Sequence, residues 1–267
     1  MVITMKQIPL LGVLCLNRGD LLLRMVKSID FPVAKLQLIV NYIKEVDESI
    51  IEAALEIEQL IQDKKIPVET ANGIISGQDP EDRGLTNIGV SGGWNKIIRL
   101  NPDVPYWIIV GNDIQFTPGD LEKVYTYAEE HKDHATMFAN HGHSFFVLTQ
   151  EGLRAGTFDE NIYPAYLEDC DHSYRIKMLG LTVSDIPDIH AIHGEAPTWG
   201  SSTIYSNTNY LKQNGITHGN NFRYYRMKWG GNNGEEKYTH PFDDPEWPVN
   251  KWEPLSFFRE KNSIWGT

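Results

Sequence analysis

Cysteine is scarce. Cys15 and Cys170 are the whole complement in 267 residues, which excludes a disulfide framework and a four-cysteine zinc site. Long apolar runs are missing as well. The run from Ile8 to Leu16 falls short of the ~20 residues a membrane-spanning helix needs, and Asn17-Arg18-Gly19-Asp20 ends it. No small-residue cleavage site of a secretory leader follows it, and there is no Asn-x-Ser/Thr sequon. The expectation is a reduced, cytoplasmic protein with no transmembrane segment. Basic charge is in deficit: 24 Lys and Arg against 36 Asp and Glu give a net charge of −12. That argues against a protein that coats nucleic acid. A phosphate-bearing small ligand stays open, because a bound metal ion supplies positive charge locally. Neither a Walker loop nor a G-x-G-x-x-G in a strand–turn–helix setting occurs.

What is present is an ordinary globular balance, 41% hydrophobic and 22% charged. The chain is long enough for one large α/β domain or two small ones. Its first two-thirds alternate strand and helix signals. Ile8–Leu16 reads as a strand buried on both faces, Leu21–Ile29 as a helix and Leu36–Ile43 as a second strand. Glu48–Ile61 reads as a helix with Ile50, Ile51, Ala54, Leu55, Ile57 and Leu60 on its apolar side. Ile66–Glu69 is a short strand candidate, and residues 71–90 read as loop. Gly93–Leu100 is a helix stopped by Asn101-Pro102. Tyr106–Val110 is the clearest strand, followed by a helix from Pro118-Gly119-Asp120 to about Glu130. Ser144–Leu148, Glu168–Leu179 and Leu181–Ile186 read as strand, helix and strand. This alternation implies a mainly parallel sheet with helices on both faces. Ligands bind such a sheet at the carboxyl ends of its strands.

The character changes after Glu195. Of the 29 aromatic residues, 14 lie in the last 73 positions, with Gly and Asn dense among them. The expected division is a core over residues 1–195 and an irregular, aromatic-rich extension over 196–267, packed on the core. Its aromatics either glue the tail down or present a stacking surface to a sugar.

Several residues could carry chemistry. Asp113 ends the Tyr106–Val110 strand, where a carboxylate suits Mg²⁺ or Mn²⁺ or caps the turn. Glu168, Asp169 and Asp171 crowd a helix start, favoured by its dipole. Asp171 can pair with Arg175 one turn on. That leaves Asp169 as a candidate general base, its pKa raised by like-charge neighbours, or as an N-cap. His193 follows a strand signal and could complete a metal site or be structural. His141-Gly142-His143 is a looser pair, read as structural. Gly89-Val90-Ser91-Gly92-Gly93 matches the nucleophile-elbow pattern, with Asp113 and His193 in hydrolase order. However, polar loop, not a strand, precedes Ser91.

In order along the chain, these motifs resemble the inverting GT-A fold glycosyltransferases of the family 2 type, in a rhamnosyltransferase-like branch. Leu14-Cys15-Leu16-Asn17-Arg18 is similar to the segment that ends that family's first strand and touches the nucleotide. Thr86-Asn87-Ile88-Gly89-Val90-Ser91-Gly92-Gly93-Trp94-Asn95 is similar to the segment lining its donor site. Asp113, five residues before Pro118-Gly119, matches its metal-binding Asp. Phe158-Asp159-Glu160 and Tyr166-Leu167-Glu168-Asp169-Cys170-Asp171 are similar to "FDE…YxEDxD". The match spans roughly residues 8–195. It implies transfer of a sugar from a nucleotide-diphosphate donor (UDP-hexose or dTDP-rhamnose type) to a glycan or other hydroxyl acceptor. Asp169 is then the general base, with Asp113 and His193 on Mn²⁺ or Mg²⁺. Asn17, Arg18, Asn41, Asn87, Gly93, Asn95, Asn112 and Glu168 are the implied nucleotide-sugar contacts. Two departures stand out. Gly111 occupies a position that is acidic or polar in the family, and Val40-Asn41-Tyr42 lacks the acids usual after its second strand. The alternatives are a non-catalytic nucleotide-sugar or carbohydrate-binding module on the same fold and, more remotely, a serine hydrolase using Ser91.

Overall fold

The computed structural model describes residues 6–139, 145–195 and 202–243. His141-Gly142-His143 lies outside them, as do Trp199, Trp247, Trp252 and Trp265. A seven-stranded sheet runs in the order β3-β2-β1-β4-β7-β6-β8. Its strands are β1 (Leu11–Cys15), β2 (Val33–Val40), β3 (Val68–Ile75), β4 (Tyr106–Gly111), β6 (Thr136–Ala139), β7 (Phe145–Thr149) and β8 (Val183–Ile186). Only β7 runs against its neighbours β4 and β6; the other pairings are parallel. A second, two-strand sheet pairs β5 (Ile114–Gln115) with β9 (Ile192–His193).

The central strands show why their sequences are apolar throughout. Successive side chains point to opposite faces, and both faces are covered. Tyr106, Ile108 and Val110 of β4 join one core with Leu22, Met25, Ile50, Ile57 and Val124. Those residues come from α1 (Gly19–Lys27), α2 (Glu48–Gln62) and α4 (Asp120–Glu130). Trp107 and Ile109 join the other core with Trp94, Ile97 and Ile98 of α3 (Gly89–Leu100). The approach of α3 to β1 is close. A Cβ on Gly93 would meet Leu14 Cδ1 at 2.5 Å, and one on Gly12 would meet Ile97 Cγ2 at 2.5 Å.

The structure departs from the sequence reading in several places. β3 extends through residues expected as loop. Its polar run Glu69-Thr70-Ala71-Asn72-Gly73 is exposed because β3 is an edge strand, paired with β2 alone. On α2 the buried residues are Ile50, Ala53 and Ile57, while Ile51 and Leu55 face solvent, 49% and 64% exposed. The described part of the extension, residues 202–243, is more regular than expected. It holds α6 (Ser202–Tyr205) and a 22-residue helix, α7 (Thr208–Trp229). The residues α7 buries are Thr217, Asn221, Tyr224, Tyr225, Lys228 and Trp229. Their spacing is helical, but half of them are polar, so an apolar-period reading passes over them.

Polar ties hold α7 to α5 (Glu168–Met178) and to the 158–167 segment. Lys228 Nζ lies 2.7 Å from Asp159 and 2.6 Å from Asp171. The Tyr224 hydroxyl donates to Asp159, and Trp229 Nε1 donates to Asp171. Asp171 also pairs with Arg175 at 3.0 Å, as the one-turn spacing predicts. No helix among the described residues is long and apolar enough to cross a membrane.

Candidate active site

The carboxyl ends of β1 and β4 open into a cavity of about 510 Å³, closed on its far side by the 164–170 segment and by α6 and α7. This is where a parallel sheet receives ligands. Asn41, Asn87, Asn112, Asp113, Glu168, Asp169 and His193 all line it.

The Asp113–His193 pair is built by backbone. The β5–β9 ladder sets Ile114 opposite His193, and the Gly194 N–H donates to the Asp113 carbonyl at 2.9 Å. Arg24 of α1 reinforces the join by donating to the Asp113 and Gly194 carbonyls at 3.2 and 3.0 Å. No sequence signal marks Arg24 for this role; only the pairing of two distant segments creates it. His193 Nε2 then lies 3.5 Å from Asp113 Oδ1, while Asp113 Oδ2 accepts the Ser202 N–H at 2.8 Å. Burial pushes the Asp113 carboxyl up, but the His193 ring and the Ser202 amide together hold it below the ordinary carboxylate value. It is therefore ionised at neutral pH.

These two groups fit a divalent cation. Adjacent ligands on a Mg²⁺ or Mn²⁺ ion, each ~2.1 Å from the metal, stand ~3 Å apart, close to the observed separation. One carboxylate and one imidazole leave the remaining positions to phosphate oxygens and water, the usual arrangement for Mg²⁺ at a diphosphate. Among the described residues no cluster of three or more His, Cys, Asp or Glu could hold a metal without such help.

Glu168 and Asp169 sit at the start of α5, both 6% exposed. Two residues in left-handed backbone conformation, Tyr166 and Leu167, each with φ 79°, aim them at the cavity. Bulky side chains adopt that conformation at a cost of ~1–3 kcal/mol, and such strain clusters at functional sites. Surrounding contacts hold it in place. Leu167 packs with Ile162, Tyr224, Tyr225 and Trp229, and Asn221 Nδ2 donates to the Ala165 carbonyl at 2.8 Å. Burial and the neighbouring Asp169 charge push the Glu168 carboxyl well above its ordinary value. Glu168 Oε2 is buried and accepts no hydrogen bond among the described residues. The Cys170 thiol hydrogen-bonds Asp169.

The other predicted contacts divide. Asn41 and Asn87 are tied to each other at 3.0 Å, with Ser76 donating to Asn41 Oδ1 at 2.7 Å. Asn112 Nδ2 is spent on the Asn17 carbonyl at 2.9 Å. Asn17 and Arg18 line a separate recess of about 280 Å³. There Arg18 pairs with Asp20 at 2.7 Å and Glu195 at 2.6 Å, so its charge is already matched within the fold. Gly93 and Asn95 do not line the cavity either. Gly93 lets α3 pack on β1. The Asn95 side chain clamps the 158–160 segment, exchanging hydrogen bonds with the Phe158 backbone at 2.9 Å in each direction.

The hydrolase alternative does not hold. Ser91 lies inside α3, 1% exposed, with its hydroxyl on the Ile162 carbonyl at 3.4 Å. It does not line the cavity that contains Asp113 and His193, and no strand leads into it.

Comparison with solved structures agrees with this architecture. A mannosyltransferase from Pyrobaculum calidifontis, in complex with GDP-Man and Mn²⁺, superposes with a TM-score of 0.54 at 12% identity, covering 96% of this chain and 70% of that one. This chain has the GT-A glycosyltransferase fold. S. aureus TarS (residues 1–349) matches at 10% identity and TM-score 0.48, covering 71% of this chain and 61% of its own. Its complex with UDP-GlcNAc matches at 10% identity and TM-score 0.42, covering 63% and 54%. No family model and no curated protein matches the sequence. The sheet order sets β1 and β4 side by side at the cavity, and the β5–β9 pair carries His193 and fixes Asp113, the residue just before β5.

Proposed function

We propose that the protein transfers a glycosyl group, with inversion, from a nucleotide-diphosphate sugar of UDP-hexose or dTDP-rhamnose type to an acceptor hydroxyl. The reading rests on one observation: the Asp113–His193 pair and the Glu168–Asp169 pair, from separate segments of the chain, line one cavity at the carboxyl ends of a GT-A sheet.

Asp169 acts as general base. Its carboxylate takes the acceptor proton as the hydroxyl oxygen attacks the anomeric carbon. The bond from that carbon to the phosphate oxygen breaks, and the nucleotide diphosphate leaves with the electron pair. Glu168, whose carboxyl is pushed well above its ordinary value by burial and by the Asp169 charge, stands beside the base and is placed to hydrogen-bond the sugar. Asp113 and His193 would hold a divalent ion, which when bound would supply positive charge to the leaving diphosphate. The need for it follows from the lining: Asp113, Glu168 and Asp169 are there, and no lysine or arginine is among the cavity's described residues. Asn41 and Asn87, on the same wall, are the candidates for the base or ribose, and apolar Leu14, Leu16 and Val110 exclude water that would compete as acceptor.

The test begins with a thermal-shift panel of nucleotide sugars with and without Mn²⁺, then turnover of the stabilising donor by wild type and Asp169→Asn. The expected result is loss of transfer by ~10²–10⁴-fold, with nucleotide affinity retained in calorimetry. Near-normal turnover by the variant removes Asp169 from the mechanism. Donor binding by wild type with no turnover at all selects the binding-module alternative, which the Gly111 departure favours.

A further inference from the structure

We propose that Tyr166 and His218 form a stacking subsite for an uncharged glycoside acceptor, beside Asp169. The inference rests on the glycosyl-transfer reading and extends it by naming the acceptor class and the residues that receive it.

Both side chains line the same cavity as Glu168 and Asp169. The two rings lie 4.7 Å apart at a 44° tilt, and Phe222 backs His218 at 4.8 Å. Tyr166 lines that cavity together with the base, so a sugar ring on it shares the space that Asp169 faces. His218 comes from α7, beyond the region of family resemblance. It stands one helical turn before Asn221, which donates to the Ala165 and Tyr166 carbonyls at 2.8 and 3.4 Å. The helix that carries one ring therefore also clamps the backbone that carries the other, so the pair is pre-organised.

The chemistry of these groups suits a polyol. An aromatic face takes the C–H face of a pyranose, and an imidazole can donate to one hydroxyl and accept from another. Burial pushes the His218 imidazole below its usual value, so it is neutral at pH 7. One turn earlier on α7, the Asn214 amide donates to the Tyr166 phenol. The Asn214 side-chain oxygen is buried and accepts no hydrogen bond among the described residues. A sugar hydroxyl is the donor that such an oxygen lacks.

Charge selects within the class. An acceptor bearing phosphate or sulfate would meet Asp169 and Asp113 with no lysine or arginine among the described residues of the lining. A divalent ion held by Asp113 and His193 would be taken up by the donor diphosphate. Like charges at such range discriminate strongly against an anionic acceptor.

The experiment uses the full chain with Mn²⁺ and the donor identified by thermal shift. Nucleotide release is followed while methyl glycosides of common hexoses and deoxyhexoses are added, in parallel with hexose 6-phosphates. Stimulation by one or more neutral glycosides is expected, with the phosphates at least about tenfold less effective. His218→Ala should raise the glycoside KM about tenfold, while His218→Gln, which keeps a donor and an acceptor, falls between. Tyr166→Phe, which keeps the ring and loses only the phenol that Asn214 contacts, should raise the KM less than His218→Ala does. Calorimetry with the nucleotide shows that each variant is folded. Equal or better stimulation by the phosphates, or a wild-type glycoside KM in His218→Ala, overturns the inference. If the donor binds and turns over but no glycoside responds, this inference alone fails; if no nucleotide sugar binds, the glycosyl-transfer reading fails with it.

Discussion

Replacing Lys228 with methionine should loosen α7 and show how much of the far wall of the cavity depends on one buried cation. Lys228 is 8% exposed, and its partners Asp159 and Asp171 are 13% and 0% exposed. Its ammonium also lies over the Tyr224 and Trp229 rings at 5.9 and 5.1 Å. Methionine keeps most of the aliphatic stem, so the change removes charge with little loss of volume. Deleting one partner of a buried ion pair costs ~3–5 kcal/mol. Here each carboxylate keeps other donors. Tyr224 remains on Asp159 at 2.7 Å, and Arg175 and Trp229 remain on Asp171 at 3.0 and 2.8 Å. The lower end, ~3 kcal/mol, therefore applies, which for a chain of this size lowers Tm by ~6–12 °C. The pH dependence has a definite sign. Burial pushes the Asp159 carboxyl up, while the Lys228 charge and hydrogen bond, helped by Asn161 and Tyr224, hold it below the ordinary value. A carboxyl depressed in the fold contributes stability above its unfolded pKa, ~3.9, and loses it as pH falls through the folded value. The gap between wild type and variant is thus full at neutral pH and narrows below about pH 4. Thermal unfolding followed by circular dichroism at several pH values measures both effects. A variant melting within about 2 °C of wild type at neutral pH, or a gap that does not narrow in acid, refutes the argument.

Asp113→Ala should weaken Mn²⁺-dependent binding of the donor nucleotide by about tenfold or more, ~1.4 kcal/mol; calorimetric affinities indifferent to both EDTA and the substitution would remove the ion from the site. Gly93→Ala forces a methyl into Leu14 and should cost ~1–3 kcal/mol, read as a lower urea midpoint; an unchanged midpoint means that α3 can lift off β1 freely. Glu168→Gln should raise Tm increasingly as pH rises. A carboxyl whose pKa is raised by folding costs stability once pH exceeds its unfolded value, ~4.3, and the amide abolishes that cost; a Tm gain that is flat from pH 5 to pH 8 counts against a buried, neutral Glu168.

How much the sequence discloses depends on whether apolar spacing encodes the element. β4 is plain because both of its faces are buried, so every position is apolar. α5 and its carboxylates are plain because a helix start concentrates them, and the Asp171–Arg175 pair follows from spacing alone. β3 is half-hidden because an edge strand can be polar. The first turn of α3 is hidden behind Gly89, Gly92 and Gly93, which resemble loop composition. In the fold, Gly89 has φ +71° and would press a Cβ into Tyr163 at 2.7 Å, while Gly93 admits Leu14. α7 is the largest omission, because its buried face is half polar, in Thr217, Asn221 and Lys228, and the Asn221 and Lys228 partners Tyr163, Ala165 and Asp159 lie more than 50 residues away. Of the candidate site, the chemistry-bearing acids and His193 were legible. Their supports were not: Arg24 under Asp113, and Tyr166 and Leu167 in left-handed conformation before Glu168.

The same polar face of α7 links stability to specificity. Lys228, Tyr224 and Trp229 fasten its last turns to Asp159 and Asp171; Asn221 grips the 163–166 backbone in its middle; His218 and Asn214 meet Tyr166 one and two turns earlier. A single helix thus carries structural anchors at one end and the proposed acceptor-binding groups at the other. Rotating α7 by even a fraction of a turn would pull His218 off Tyr166 and change the restraint on the strained residues that aim Asp169. Lys228→Met should therefore raise the glycoside KM of the folded variant at temperatures well below its Tm, leaving metal-dependent nucleotide affinity, which belongs to the β5–β9 rim, nearly unchanged. Loss of nucleotide affinity in step with acceptor KM would mean that the two rims of the cavity are not mechanically separate, and that α7 supports the donor end as well.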